Sequence, residues 1–305
     1  MVTGEENMAH KELSEDSLKI AIFLSTEFLL VALISVPLFL FKPANGGSLV
    51  MVISIIFMWL PALATFITRK VTNDKSELLL KTQIKKNWKM YLISAYVPGI
   101  MIILGGLLYF LLFPNHLDLT LGYVRNLAVV AGEQITLPTL SALSLPFIAA
   151  AMVLLAPFVF INHILAFGEE VGWRAYLLPL LCKKVGIMKG IILDGILWGI
   201  VHAPLVCFGV NYSGNYFGAP WTGMLMMIVF ATSIGIFLSY LTIKTRSVIP
   251  ACISHGVINA IREAPLFICV SSYNALLGPK PSGIIGMAGF LILGIVIMLK
   301  IHKNN

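Results

Sequence analysis

Long apolar segments separated by short polar ones occupy most of the chain after residue 17. A helix needs about 20 mostly apolar residues to cross the hydrocarbon core of a bilayer, and these segments are of about that length. The pattern therefore predicts about eight transmembrane helices. We place them near residues 18–41, 48–67, 90–113, 145–181, 190–210, 222–243, 247–270 and 284–301.

The composition supports a polytopic membrane protein. Of the 305 residues, 58% are hydrophobic and only 11% are charged, whereas soluble domains carry about 25% charged residues. We therefore expect an all-α fold, a helix bundle whose backbone polar groups are satisfied within each helix. We divide the chain into a polar N-terminal tail, a first set of transmembrane helices and a second set with candidate catalytic residues, at 1–17, 18–144 and 145–305.

Basic residues are concentrated in four segments, 69–89, 183–189, 244–246 and 300–303. With eight spans, all four lie on one side of the membrane, which the positive-inside rule identifies as the cytoplasm. We therefore expect a multi-pass protein of the cell membrane with both termini in the cytoplasm. The net charge of +7 is explained by these segments facing anionic lipid headgroups, so no nucleic-acid partner is expected.

Three of the later apolar segments carry polar side chains of the catalytic type. Such groups are costly inside a bilayer and usually mark a functional site. In the first segment, Glu170 and Arg174 are four residues apart and therefore neighbours on a helix, whereas Glu169 points about 100° away. We expect Glu170 and Arg174 to pair and Glu169 to face a pocket as a general base. The simpler alternative is an ion pair at a helix end.

The second and third segments each bring a histidine. His202 follows Trp198 by four residues and His255 precedes Asn259 by four, so each pair shares a helix face. His255 and Asn259 can both donate to one substrate oxygen, as an oxyanion hole requires. Neighbouring glycines would let the helices approach closely, namely Gly168, Gly172, Gly195, Gly199 and Gly256. In the first half of the chain, Glu27 is the exceptional ionisable residue inside a span.

The predicted depths of these residues agree. Counted from the cytoplasmic helix ends at 1.5 Å per residue, His202 lies roughly 18 Å deep and His255 roughly 12 Å deep. Glu169 reaches a similar depth only if its helix continues to about Leu181. The three segments would then meet in a cavity within the membrane that opens to the cytoplasm.

The ordered motifs Glu-Glu-x-x-x-Arg, aromatic-x-x-x-His and His-x-x-x-Asn resemble those of the CAAX protease and bacteriocin-processing family, in its Rce1-type, or Abi, group. The resemblance covers residues 165–260 closely, and the first four-tenths of the chain only in hydropathy. It implies an Rce1-like bundle of eight helices with a cytoplasm-facing catalytic cavity. Trp198 stands where Phe is commoner, which is a small change at an aromatic packing position.

The resemblance also implies an intramembrane endopeptidase that cuts membrane-associated proteins or peptides, such as CAAX-type, leader or bacteriocin-like peptides. Carried over to this chain, Glu169 is the general base, and His202 helps it to position and activate a water. His255 and Asn259 stabilise the tetrahedral oxyanion. The supporting residues are Glu170, Arg174 and Trp198.

The residues leave the dependence on a metal open. Glu169, His202 and His255 form the set that would ligate zinc with one open water position, as in a metalloprotease. The alternative is a metal-free glutamate protease, which we favour because the chain has no His-Glu-x-x-His signature. The four cysteines are isolated, so neither a zinc knuckle nor a disulfide framework is predicted.

Two functions of other classes compete with the protease. One is a non-catalytic bacteriocin self-immunity protein or membrane scaffold that binds a partner and uses the motif residues only for structure. The other is a transporter or ion channel. We disfavour the transporter because the chain shows no internal repeat and its polar groups cluster in one half.

Overall fold

The computed structural model of the protein describes residues 4–41, 46–212 and 216–304. Within these ranges the fold is all-α, as predicted, and the only β-type pairing is an isolated antiparallel bridge between Leu117 and Cys269. The helices are α1 (Gly4–Phe41), α2 (Gly46–Phe57), α3 (Leu60–Val71), α4 (Ile84–Leu112), α5 (Gly122–Val130), α6 (Leu145–Leu155), α7 (Phe160–Glu170), α8 (Leu178–Val185), α9 (Ile187–Val201), α10 (Ala203–Cys207), α11 (Trp221–Thr245), α12 (Ile249–Ile261) and α13 (Ala288–Asn304).

Several of these helices are long and apolar enough to cross a membrane. Among the described residues, four segments qualify alone: Leu13–Phe41, Leu49–Val71, Ile84–Leu112 and Trp221–Thr245. A broken pair, Ala142–Phe158 and Phe160–Val185, makes a fifth candidate. The protein is therefore a multi-pass membrane protein. The predicted total of about eight spans stays a prediction, because α9, α12 and α13 have only 15, 13 and 17 residues.

The polar N-terminal segment forms part of a helix. The first helix begins at Gly4 and continues without a break into the first apolar span. Extending an existing helix costs little compared with starting a new one. Polar contacts also hold this end, since Asp16 lies 2.8 Å from Lys183 and Lys19 lies 3.5 Å from Asp74.

The predicted fourth span is bent, but it continues past the two glutamates as the depth argument required. The break follows a short 3₁₀ turn, Ala156–Phe158, and the two parts form an angle of 60°. Pro157 lies in this turn and cannot donate a helical hydrogen bond. After α7, residues Val171–Leu177 form a π-helical segment that leads directly into α8. Such π-helical turns are frequent at functional sites.

Close helix packing in the core depends on the glycines that the sequence singled out. A Cβ atom on Gly195 would lie 2.7 Å from the Cα of Thr232, and one on Gly199 would lie 2.5 Å from the Cα of Ile228. Both distances are shorter than non-bonded carbon atoms tolerate, so α9 and α11 approach closely only because glycine lacks a side chain. The same crowding occurs at the other three predicted glycines, Gly168, Gly172 and Gly256.

Candidate active site

A cavity of about 230 Å³ lies among α1, α2, α3, α7, α9, α10, α11 and α12. Its wall is mostly apolar, but all four residues that we predicted to be catalytic line it. They are Glu169, His202, His255 and Asn259. Trp198 lines the cavity too, whereas Glu170 and Arg174 lie behind its wall. The structure therefore brings the three motifs to one place, while the catalytic assignment of each residue stays a prediction.

Glu169 is held by a residue of another helix. Its side chain is buried, and its Oε2 accepts a hydrogen bond of 2.5 Å from the indole Nε1 of Trp198. This bond leaves Oε1 available to accept a hydrogen bond from a water or substrate. Trp198 is thus more than the aromatic packing position that the sequence suggested, because phenylalanine has no N–H to donate.

His202 also depends on Trp198. The Nδ1 atom of His202 lies 2.8 Å from the backbone oxygen of Trp198, one turn earlier on α9. A carbonyl oxygen can only accept, so Nδ1 carries the hydrogen, and Nε2 of the neutral ring is an acceptor. The two rings also meet edge to face at 5.7 Å. Trp198 therefore orients Glu169 through its side chain and His202 through its carbonyl group.

Four ionisable side chains form a buried network that reaches the cavity wall at His255 and extends behind it. Arg174 lies 3.1 Å from Glu170 and 3.3 Å from Asp194, and all three are fully buried. At the other end of the network, Nδ1 of His255 lies 2.8 Å from Oε1 of Glu170, the oxygen that also contacts Arg174. Arg174 also stacks on the Trp198 ring at 4.1 Å. The predicted pair of Glu170 and Arg174 is thus present, but not as an exposed ion pair at a helix end.

Asp194 belongs to this network of buried charges, but the predicted site did not include it. Its place in the sequence, one turn before Trp198 in an apolar segment, was the available signal. Nothing local indicates that it faces Arg174 on another helix. Its contact with Arg174 places α9 against the π-helical segment, and it adds a second carboxylate beside the guanidinium.

His255 and Asn259 share the cavity-facing side of α12, as their spacing predicted. The ring of His255 meets that of Trp198 edge to face, with 5.3 Å between the ring centres. Because Nδ1 is engaged by Glu170, Nε2 is the nitrogen that remains for a substrate. The Asn259 amide, one helical turn further on, supplies a second donor at the same wall.

The three motifs meet in the cavity, but they do not form a complete set of metal ligands. Among the described residues, no group of three or more His, Cys, Asp or Glu side chains is arranged to hold a metal ion. The four cysteines are all free, and two of them are buried. We therefore assign no chemistry at this site to a metal.

Glu27 is a further polar residue of the cavity wall. The sequence marked it as an exception in the first half but did not connect it with the other motifs. It is fully buried, and both of its carboxyl oxygens lack a hydrogen-bond partner among the described residues. No spacing rule relates it to Glu169, because 142 residues separate them on the chain (169 − 27).

Comparison with known proteins finds similarity over the part of the chain that carries the three motifs. Residues 143–261 match a family described as type II CAAX prenyl endopeptidase Rce1-like. A CAAX prenyl protease 2 from Methanococcus maripaludis is 33% identical over 109 residues. That similarity spans 35% of this chain and 40% of the length of the relative. The predicted family resemblance is therefore confirmed for residues 143–261, which contain all three motifs, whereas Glu27 lies outside them.

Proposed function

We propose that the protein is an intramembrane endopeptidase that hydrolyses peptide bonds of membrane-associated proteins or peptides. The observation that carries the proposal is the single cavity shared by Glu169, His202, His255 and Asn259. The match of residues 143–261 to the Rce1-like family supports it. The relative's name makes peptides of the CAAX type the first substrate class to test, with leader and bacteriocin-like peptides as the others.

In this proposal Glu169 is the general base. A water bound between Oε1 of Glu169 and Nε2 of His202 loses a proton to Glu169 as its oxygen attacks the carbonyl carbon of the peptide bond. Glu169 then passes this proton to the amine as the carbon–nitrogen bond breaks. A positioned acid–base group of this kind contributes roughly 10²- to 10⁴-fold to the rate. The hydrogen bond from Trp198 would keep the carboxylate in place through both steps.

His255 and Asn259 are the proposed oxyanion donors. If Nδ1 of His255 donates to Glu170, then Nε2 can donate as well only when the ring is an imidazolium. Losing one oxyanion donor typically lowers the rate by roughly 10²- to 10³-fold.

We further propose that the cavity opens to the cytoplasm. The support comes from the basic segments at the ends of α3, α8 and α11, which the positive-inside rule assigns to that side. A membrane-tethered substrate would then enter from the cytoplasmic leaflet. Both termini of the chain lie on the same side in this arrangement.

The test is cleavage of a membrane-tethered fluorogenic peptide by the purified protein in liposomes. Glu169→Ala should abolish turnover while the protein still inserts and keeps its thermal unfolding transition. Glu133→Ala is the matched control, because this exposed carboxylate lies outside the cavity. Unchanged turnover by Glu169→Ala would sink the proposal. Full protection of cells by the same variant, in an immunity assay, would favour the non-catalytic alternative.

A further inference from the structure

Glu27 is a carboxylate in the cavity wall that the proposed reaction does not use. It projects from α1, it is 0% exposed, and it lines the same cavity as Glu169. Neither of its oxygens has a hydrogen-bond partner among the described residues. Burying a charged group without a partner costs several kcal/mol, so buried charges are normally paired. Glu27 therefore has no partner within the described part of the chain, and a bound molecule can supply one.

The position of Glu27 is fixed by the packing of its own helix. Phe23 and Val31, four residues before and after it, are buried on the same face of α1. Phe23 packs edge to face against Trp173 of the π-helical segment, with 5.7 Å between ring centres. Glu27 thus faces the bundle interior and not the lipid.

The charges around the cavity leave Glu27 without an internal counter-ion. The arginine that lines the cavity, Arg262, has its Nε 3.6 Å from Oε1 of Glu263. No ion pair within the described part of the chain includes Glu27 or Glu169, and Glu169 is bound by a neutral indole. Two carboxyl groups line one cavity without a paired cation, and a basic group bound beside them would stabilise their ionised form.

The apolar wall of this cavity suits a long aliphatic stem. Residues of α2 and of the following turn line the same cavity as Glu27, among them Met51, Ile55 and Met58. Lysine and arginine side chains bury such stems against apolar surface and carry their charge at the tip. An apolar wall that includes a buried carboxylate therefore matches a basic side chain better than an apolar or an acidic one.

We propose that Glu27 forms a substrate subsite for a lysine or arginine side chain of the peptide being cut. This subsite rests on the proposed protease function and specifies its substrate class. The basic group would pair with Glu27, its stem would contact α2, and the peptide bond would lie against Glu169 and the oxyanion donors. Glu27 is then a specificity residue, and it takes no part in the bond-breaking steps.

The experiment compares pairs of membrane-tethered peptides that differ at one position, with either lysine or its neutral analogue norleucine. The position is moved one residue at a time across the cleaved region, and kcat/KM is measured for each pair. We expect the wild type to prefer lysine at one position by about tenfold or more, the equivalent of about 1.4 kcal/mol. Glu27→Gln should bring this ratio close to one, and Glu27→Asp should keep part of it.

Each other outcome has a distinct meaning. If neither the wild type nor Glu169→Ala cleaves any peptide of the set, the protease function itself fails. If the wild type cleaves both members of every pair equally well, the subsite is wrong and the protease function stands. If Glu27→Gln lowers kcat equally for both members and keeps the lysine preference, Glu27 acts in proton transfer with Glu169, which also overturns the subsite.

Discussion

The hydrogen bond from Trp198 to Glu169 gives the sharpest prediction for a single substitution. Trp198→Phe keeps an aromatic ring for Arg174 to stack on but removes the indole N–H that Glu169 accepts at 2.5 Å. A hydrogen bond to a charged group contributes about 1.5–3 kcal/mol. We assume that all of this free energy serves to place the general base. Since about 1.4 kcal/mol corresponds to a factor of ten in rate, kcat should fall about 10- to 100-fold.

The matched control is the same substitution at a second buried tryptophan. Trp173 is 0% exposed and Trp198 is 2% exposed, so both variants lose a similar buried volume. The indole nitrogen of Trp173 has no hydrogen-bond partner among the described residues. Trp173→Phe should therefore destabilise the protein about as much as Trp198→Phe but lower kcat much less.

The assay measures kcat on the tethered peptide and the thermal unfolding of each variant in the same detergent. The two variants should differ in kcat and agree in unfolding temperature. Wild-type kcat for Trp198→Phe would refute the positioning by Trp198. An equal loss of kcat in Trp173→Phe would refute it too, since the loss would then come from packing alone.

Three further predictions concern the buried charges, pH and metal. Arg174→Met leaves Glu170 and Asp194 buried without their cation, so it should cost about 3–5 kcal/mol, seen as a large fall in Tm; Lys81→Met, in an exposed pair, should leave Tm unchanged. Burial raises the pKa of Asp74, in the loop after α3, but hydrogen bonds from Ser76 and the charges of Lys19 and Arg69 outweigh it, so that the net pKa lies below the ordinary 3.8. The contribution of Asp74 to stability is then present above about pH 4 and lost as the pH falls through the lowered pKa, and Asp74→Asn should flatten the acid side of the Tm-against-pH curve; an unchanged curve would contradict this. Because the described residues include no three-donor group arranged for a metal, the chelator 1,10-phenanthroline should leave the cleavage rate unchanged, and a loss restored by zinc would contradict this.

Contacts within one helix were the part of the site that the sequence predicted well. The four-residue spacing of Glu170 and Arg174 predicted their ion pair, and that of His255 and Asn259 predicted a shared face. Both inferences depend only on the pitch of a helix, which is the same in every bundle. The glycines of α9 were predictable for a similar reason, because residues without side chains mark close helix contacts.

Contacts between helices were not predictable from spacing. The partners Glu169 and Trp198 are 29 residues apart, and Glu170 and His255 are 85 residues apart. Their meeting depends on how far each helix is rotated about its axis, which side-chain packing sets. The sequence therefore identified Trp198 as an aromatic residue near the site, but not as the donor that holds Glu169.

The cavity position of Glu27 and the bend of the fourth span could not be predicted from the sequence either. Glu27 lies on α1, outside the segment that resembles known proteases, so neither motif nor spacing connected it with the cavity. The 60° bend before α7 follows from a short turn that hydropathy alone does not register. Hydropathy indicates which segments lie in the membrane, but the direction of each segment depends on its neighbours.

If Glu169 activates a water for peptide-bond cleavage, mass spectrometry of membrane-fraction peptides should detect the products. Cells that produce the wild type should be compared with cells that produce equal amounts of Glu169→Gln, in which the side chain keeps its shape but cannot serve as a base. New peptide termini from membrane-associated proteins are expected in the wild-type cells and not in cells with the variant. The same termini in equal amounts in both would contradict it.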